Sequence, residues 1–441
     1  MSNDKDKISV TVATAVGLGA IIGAGIYVLS GTAIALAGAY ALIAFVLVGI
    51  VAFIIALELG ELGSLMPYVK GASYSYTYKA FGSELGFIAG LLRYFSLATA
   101  ISVISLGFAS YLSNFLGVAV GTYAIPFAIL LITVLSIVNL LGIKKAAEAD
   151  FGLVIIKIAI LLIFVAFAVF VAVTGVRGGI PQISFSAPGS AVGGIFAASV
   201  VVFFAYSGFQ AISSITDRIK GGSSGYVKAI LSAVTISIIL YLLVVSALLL
   251  LLPSSAYKIS ADPLAYALKG SVAPPWIGIL VDFGALVATA SATIAMILAS
   301  SRALYQMSSD HLLPRFLRKF NNKSGVAENG ILVSAVIGVL MLFTGNIYVI
   351  VSIANFGLML NYLFVGFDII HFRRSGVKSD FRMPFYPYLP FIGIILLLAF
   401  FAGMPNEALV VGVILLIALL VTYYFLREAD EKKVVRVKLF K

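Results

Sequence analysis

Between Ile8 and Leu57 the chain carries no charged residue, yet within that run the stretch Gly17 to Ser30, GLGAIIGAGIYVLS, holds four glycines. A long uncharged run belongs in hydrocarbon or in protein interior. Glycine inside a helix costs roughly 0.5–1 kcal/mol relative to alanine, so Leu, Ile or Val would build a better one. Two readings fit. Small residues let membrane helices pack closely. Alternatively the helix breaks near Gly23, Ala24 and Gly25 and frees backbone N–H and C=O groups at membrane depth, where they must face a polar cavity or a ligand.

The rest of the chain repeats the apolar pattern. It is 62% hydrophobic and 11% charged over 441 residues, against about 25% charged in soluble domains. The expectation is an all-α polytopic membrane protein. Twelve apolar segments, each near the ~20 residues of a bilayer span, fall at about 10–35, 40–65, 85–114, 122–142, 150–175, 191–213, 229–252, 275–307, 329–345, 347–371, 388–404 and 407–426. The short, mixed-charge N-terminus MSNDKDK lacks the pattern of a cleavable signal. Of 29 basic residues, Arg93 and Lys157 fall inside spans and Arg177, Lys258 and Lys269 on one side; all the others fall on the opposite side. That asymmetry predicts cytoplasmic termini, with the tail 427–441 lying beside anionic headgroups.

Zero cysteines and two histidines leave no thiolate or disulfide chemistry and little material for a metal centre, so neither metal nor cofactor is expected. The net charge of +11 comes with no recognition module for nucleic acid. Paired carboxylates beside a histidine and nucleophile motifs such as GxSxG are missing, which argues against an enzyme. A channel would show pore-lining charge rings or a carbonyl filter motif. A sensor that keeps a transporter fold stays open.

Span 6 supplies the counterpart of span 1. In GGIFAASVVVFFAYSGFQAISS, aromatics run into Ser207 and Gly208, and polar side chains follow at Gln210, Ser213 and Ser214. Interrupted helices at corresponding positions of two halves point to the central site of an inverted-repeat transporter. The expected architecture is therefore a five-plus-five repeat with spans 1 and 6 broken: an N-terminal segment 1–9, a first repeat 10–175, a second repeat 191–371, spans 11 and 12 over 388–426, and the tail. If the second half of span 1 starts near Gly25, the N–H groups of Ala24, Gly25 and Ile26 present the positive helix end to a carboxylate. If the first half of span 6 ends near Phe204 and Ala205, its carbonyls suit an ammonium group. An α-amino acid carries both.

The motifs GAIIGAGIY, LELGELGSLMPYVKGASYSY, NLLGIKKAAEADFGLVIIK, FFAYSGF, SSRALYQMSSDHLLPRF and FRMPFYPYLP follow one another in this order. In order and spacing the chain resembles the amino acid, polyamine and organocation transporters, over nearly its whole length. The resemblance implies substrate contacts from Ile21, Gly23, Ala24 and Gly25 in span 1 and from Phe204, Ser207 and Gly208 in span 6, with Phe204 closing over the substrate. Three departures matter. Ala24 stands where many members have serine, Gln210 where some exchangers have glutamate, and Ser96 where an acidic residue is common. A preference for cationic substrates is therefore not carried across, and Ile21 with Phe204 suggests neutral or hydrophobic amino acids.

Lys157 stands alone in the apolar run of span 5. An intramembrane lysine costs about 2.5–3.5 kcal/mol on insertion scales, which marks it as functional unless it snorkels to the headgroups. The resemblance implies proton coupling, with the lysine in the place of a sodium ion between spans 1, 5 and 8: protonated, it would tie span 5 to the unwound backbone of span 1. Hydroxyls at Thr289, Ser291 and Thr293 are the alternative ion ligands, unless they bond to their own backbone. Glu61 near the inner end of span 2 reads as a gate residue or a structural helix-end pair. Arg93 snorkels or pairs with Glu84 or Glu61, while Asp282 and Asp368 read as interfacial. Tyr74, Tyr76 and Tyr78 read as an aromatic belt. The expected partners are an amino acid, protons and the lipid bilayer; the oligomeric state is open, with spans 11 and 12 as candidate contacts.

Overall fold

The computed structural model describes residues 8–66, 73–142, 146–175, 185, 188–321 and 324–439. Residues 1–7, Pro67, Gly71, Lys144 and Arg177 lie outside the described residues, as do the side chains of Ala24 and Ser214 and those of the tail from Leu426 onward.

The uncharged run folds into α1 (Val10–Ile21) and α2 (Ala24–Ala37), then a short 3-10 turn and α3 (Ala41–Leu65). Ser9 caps α1 by accepting the Val12 N–H at 3.2 Å. After α3 come α4 (Ser73–Phe81), α5 (Ser83–Leu116), α6 (Val120–Leu141) and α7 (Ala146–Thr174). Gly117 and Gly142 follow α5 and α6 in left-handed conformation, the usual way to end a helix. The second half holds α8 (Ala191–Tyr206), α9 (Gly222–Leu251), α10 (Pro263–Lys269), α11 (Pro275–Ser309), α12 (Glu328–Leu342), α13 (Ile347–Arg374), α14 (Tyr388–Phe400) and α15 (Asn406–Leu439). Among the described residues the fold is all-α apart from one antiparallel pair, Phe320–Asn321 with Val326–Ala327, and an isolated bridge from Ile8 to Ile219.

By length and composition, nine helical stretches among the described residues can cross a membrane, one of them running from Gly25 to Leu65 through α2 and α3. Three shorter apolar helices, Val10–Ile21, Glu328–Leu342 and Tyr388–Gly403, occupy the places of expected spans 1, 9 and 11. The outward surface agrees with a lipid surround. Leu141, Val173, Ile414 and Phe425 stand exposed on α6, α7 and α15, an apolar surface of the kind that faces lipid or another protein.

Packing pairs helices across the two halves: α2 lies against α8, α3 against α9, α5 against α11, and α6 against α12. One large apolar core joins α1, α2, α3, α8, α9 and α13, and smaller ones lie around α4–α5 and α6–α12. Two elements differ from expectation. The tyrosines read as a belt form α4, in which Tyr74 and Tyr76 are buried and only Tyr78 is exposed. Asp282 and Asp368, read as interfacial, are buried as well. Near a span end an acidic residue can face lipid headgroups or neighbouring helices, and in these two cases packing decides.

Candidate functional site

The break in the first apolar run falls at Ile22 and Gly23. The Ile22 N–H still donates to Leu18 at 2.6 Å, but Gly23 turns back to donate to Ile21 at 2.8 Å, and α2 restarts at Ala24. The first-turn N–H groups of Ala24, Gly25 and Ile26 consequently have no helical acceptor. In the other half α8 stops at Tyr206, Ser207 is extended, and Gly208 has φ +115°. A side chain there would be strained by the backbone and would overlap the Ala20 carbonyl. Beyond Gly208 the chain continues as a 3-10 helix from Phe209 to Arg218 rather than as an α-helix.

The two breaks lie against each other. A Cβ on Gly25 would overlap the backbone of Ala205, and one on Gly17 would overlap the Ile212 side chain. Tyr241 on α9 locks the pair: its hydroxyl lies 2.7 Å from the Ile21 carbonyl and 3.0 Å from that of Ala205, so one buried proton is shared between both broken helices. Tyr206 and Phe45 pack on its ring. The helix-end carbonyls expected to face an ammonium group are partly taken. Phe204 accepts from the Ser207 N–H at 3.1 Å and from its hydroxyl at 2.7 Å, and Ala205 accepts from Tyr241. The Phe204 carbonyl thus already accepts twice, whereas that of Ala205 keeps a second lone pair. Phe204 and Ala205 are buried; Ser207 and Gly208 are half-buried.

Lys157 lies beside this centre on α7, 1% exposed. Its ammonium donates to the Ser291 hydroxyl at 2.7 Å, and its own carbonyl accepts from the Tyr27 hydroxyl of α2 at 3.0 Å. Residue 157 is therefore bonded to α2 on one side and to α11 on the other. Ala292, next to Ser291, is the neighbour a Cβ on Gly23 would meet at 3.2 Å. Ser291 passes its own proton to Ala288 at 3.1 Å. Thr289 and Thr293 donate to the carbonyls of Ala285 at 2.6 Å and Thr289 at 2.9 Å on their own helix.

A second polar group lies past the break in α8. Arg93 of α5 donates to the Gln210 side chain, and Gln210 donates to the Tyr362 hydroxyl at 2.5 Å. Tyr362 stacks on Phe209, with ring centroids 5.9 Å apart. The expected Arg93 partners were Glu84 or Glu61; the observed one is a residue of the broken helix. Glu61 instead takes Arg373 through two bonds of 2.6 and 2.7 Å and accepts the Met383 N–H at 2.8 Å, fastening α3 to α13 and to the segment before α14. Sequence gave no sign of Tyr241 or Tyr27, since a single tyrosine in an apolar helix reads as core. Ser96 is buried on α5.

The amino acid permease family model matches residues 12–433. The chain belongs to the amino acid permease family. It is similar to the branched-chain amino acid permease BcaP of Bacillus subtilis (strain 168), at 26% identity over 442 residues, covering 95% of this chain and 92% of that protein. It is also 26% identical over 412 residues to the methylthioribose transporter of the same organism, covering 89% and 87% of the two chains. Among solved structures, a mutant of the Eremococcus coleocola manganese transporter matches with TM-score 0.61 and 14% identity over 97% of this chain and 95% of the other. At that identity the likeness shows a shared fold, and the manganese belongs to that protein. As a family member this chain is a multi-pass membrane transporter and not an enzyme.

Proposed function

We propose that this permease moves neutral, apolar amino acids across the cytoplasmic membrane by alternating access, driven by protons. The substrate would lie at the paired breaks, its carboxylate on the N–H groups of Ala24, Gly25 and Ile26 and its ammonium at the α8 end, on the remaining lone pair of the Ala205 carbonyl or in exchange for the Ser207 hydroxyl on that of Phe204, with Ile21, Gly23, Ser207 and Gly208 shaping the backbone and Phe204 closing over it. The observation that carries the reading is the Tyr241 hydroxyl shared between Ile21 and Ala205, because it makes the two interrupted helices one unit. A branched-chain permease among the similar proteins supports an apolar side-chain preference.

In this account the twelve spans form a five-plus-five inverted repeat, which the pairing of α2 with α8, α3 with α9, α5 with α11 and α6 with α12 supports. The basic-residue asymmetry supports cytoplasmic termini. Proton coupling is assigned to Lys157, whose ammonium donates to the Ser291 hydroxyl, one of the candidate ion ligands. Thr289 and Thr293 donate to backbone carbonyls and keep their oxygen lone pairs, so the preference for protons over sodium rests on the positive charge of Lys157 at Ser291, which would compete with a sodium ion there. Uptake of labelled leucine, isoleucine and valine into proteoliposomes, with an inward proton gradient and no sodium, tests this. Accumulation abolished by a protonophore is expected; accumulation that requires sodium and ignores the protonophore would overturn the coupling.

A further inference from the structure

Two carboxylates are buried together where α3 and α13 approach their C-terminal ends, one turn from the Glu61–Arg373 clamp. Glu58 is 2% exposed and Asp368 is 0% exposed. Glu58 reaches between helices: its Oε1 lies 3.5 Å from where a Cβ on Gly366 of α13 would stand and 3.9 Å from that on Gly393 of α14. It therefore rests on glycine backbone that offers no counter-charge. Asp368 accepts the Thr77 hydroxyl of α4 on Oδ2 at 2.9 Å, while its Oδ1 is buried without a hydrogen-bond partner among the described residues. Neither acid enters an ion pair among the described residues, and Gly366, against which Glu58 rests, is two residues from Asp368 on the same helix.

The surrounding groups do not neutralise them. On α13, Arg373 is committed to Glu61, and His371 packs against Phe81 and Phe372. On α5, the Arg93 guanidinium engages Gln210, and Tyr76 of α4 is buried. On α9, the Tyr226 hydroxyl lies between Ser213 and the Leu59 carbonyl. Between Leu389 and Phe400, α14 carries no titratable residue; α8 offers only Tyr206, and α15 places Tyr423 and Tyr424 at Ser83 and Glu84 of α5. Two buried negative charges on packed helices, with no cation paired to either among the described residues, repel each other and are costly to desolvate.

We propose that Glu58 and Asp368 form a shared proton-binding site, occupied while α3 and α13 are packed as seen here, whose deprotonation loosens that end of the molecule beside the Glu61–Arg373 clamp. The site is separate from Lys157 and does not rest on the lysine's role in coupling. Repulsion between the two bare carboxylates would act directly on the helices that Glu61 and Arg373 hold together.

Infrared difference spectra of the full chain in lipid, titrated from mildly acidic to mildly alkaline, test the site. The parent should show a protonated-carboxyl carbonyl band that bleaches on the alkaline side. Asp368→Asn and Glu58→Gln should each lose or shift it, and Lys157→Ala should keep it, so this assignment and the lysine assignment fail separately. Because the chain has no cysteine, a Ser64→Cys reporter gives a second reading: maleimide labelling should rise several-fold with alkaline pH, and the rise should vanish when Asp368→Asn is added. The proposal is overturned if the parent shows no such band, if the band survives unshifted in both carboxyl variants, or if the labelling rise persists in Asp368→Asn. Bleaching by sodium at constant pH would also overturn it, in favour of a cation site.

Discussion

At the scale of single residues, Tyr241 does the work of two. One hydroxyl serves the C-terminal carbonyl of α1 and a carbonyl of α8, so the geometry of both breaks depends on it. Tyr241→Phe keeps the ring and its contacts with Tyr206 and Phe45 and removes only the donor. Leaving buried carbonyls without it should cost about 1–3 kcal/mol, seen as a lower thermal unfolding midpoint in detergent together with weakened substrate uptake. An unchanged midpoint with unchanged uptake would show that the breaks hold without it. The residue was not legible in the sequence, where a tyrosine in the apolar run of α9 looks like core. The partnership of Arg93 with Gln210 was hidden for a related reason: the two residues lie far apart in the chain, and charge complementarity pointed to Glu84 and Glu61 instead.

At the scale of elements, the glycines of the first apolar run left two readings, a broken helix or close packing, and the interrupted span 6 in the other half tipped the balance to a break. The structure gives those glycines different duties. Gly25 lets α2 touch the backbone of Ala205, whereas Gly152 on α7 has nothing within 4 Å of a built Cβ. Gly25→Ala must separate α2 from α8 and should abolish uptake, while Gly152→Ala should leave uptake intact and raise stability by about 0.4–1 kcal/mol by restricting the unfolded chain. Parallel uptake and unfolding measurements check the pair; equal tolerance at both positions would contradict the close packing. The second broken helix was legible as a break at Ser207 and Gly208, but not as a 3-10 segment afterwards, since the polar residues from Gln210 onward carry no period that separates the two helix types. The helix α4 was missed because its tyrosines match the composition of a membrane interface, and Asp368 was misplaced because burial beside Thr77 is a property of packing between α13 and α4.

At the scale of the whole molecule, the chain pairs helices of its first half with helices of its second and sets the two breaks and Lys157 at their meeting place. The family and the all-α, multi-pass membrane character were legible from motif order and hydropathy. The sequence ties Lys157 to the span 1 backbone and offers Thr289, Ser291 and Thr293 only as alternative ion ligands; that Ser291 accepts the ammonium was not legible, because the three hydroxyls differ in orientation and not in chemistry. The central claim is that this lysine converts a proton gradient into substrate accumulation. It is tested most directly by comparing Lys157→Ala with the parent in proteoliposomes, following labelled leucine under an inward proton gradient without sodium. The account predicts that the folded variant binds leucine yet no longer accumulates it. Accumulation by the variant to the parent's level, with the same sensitivity to a protonophore, would contradict it.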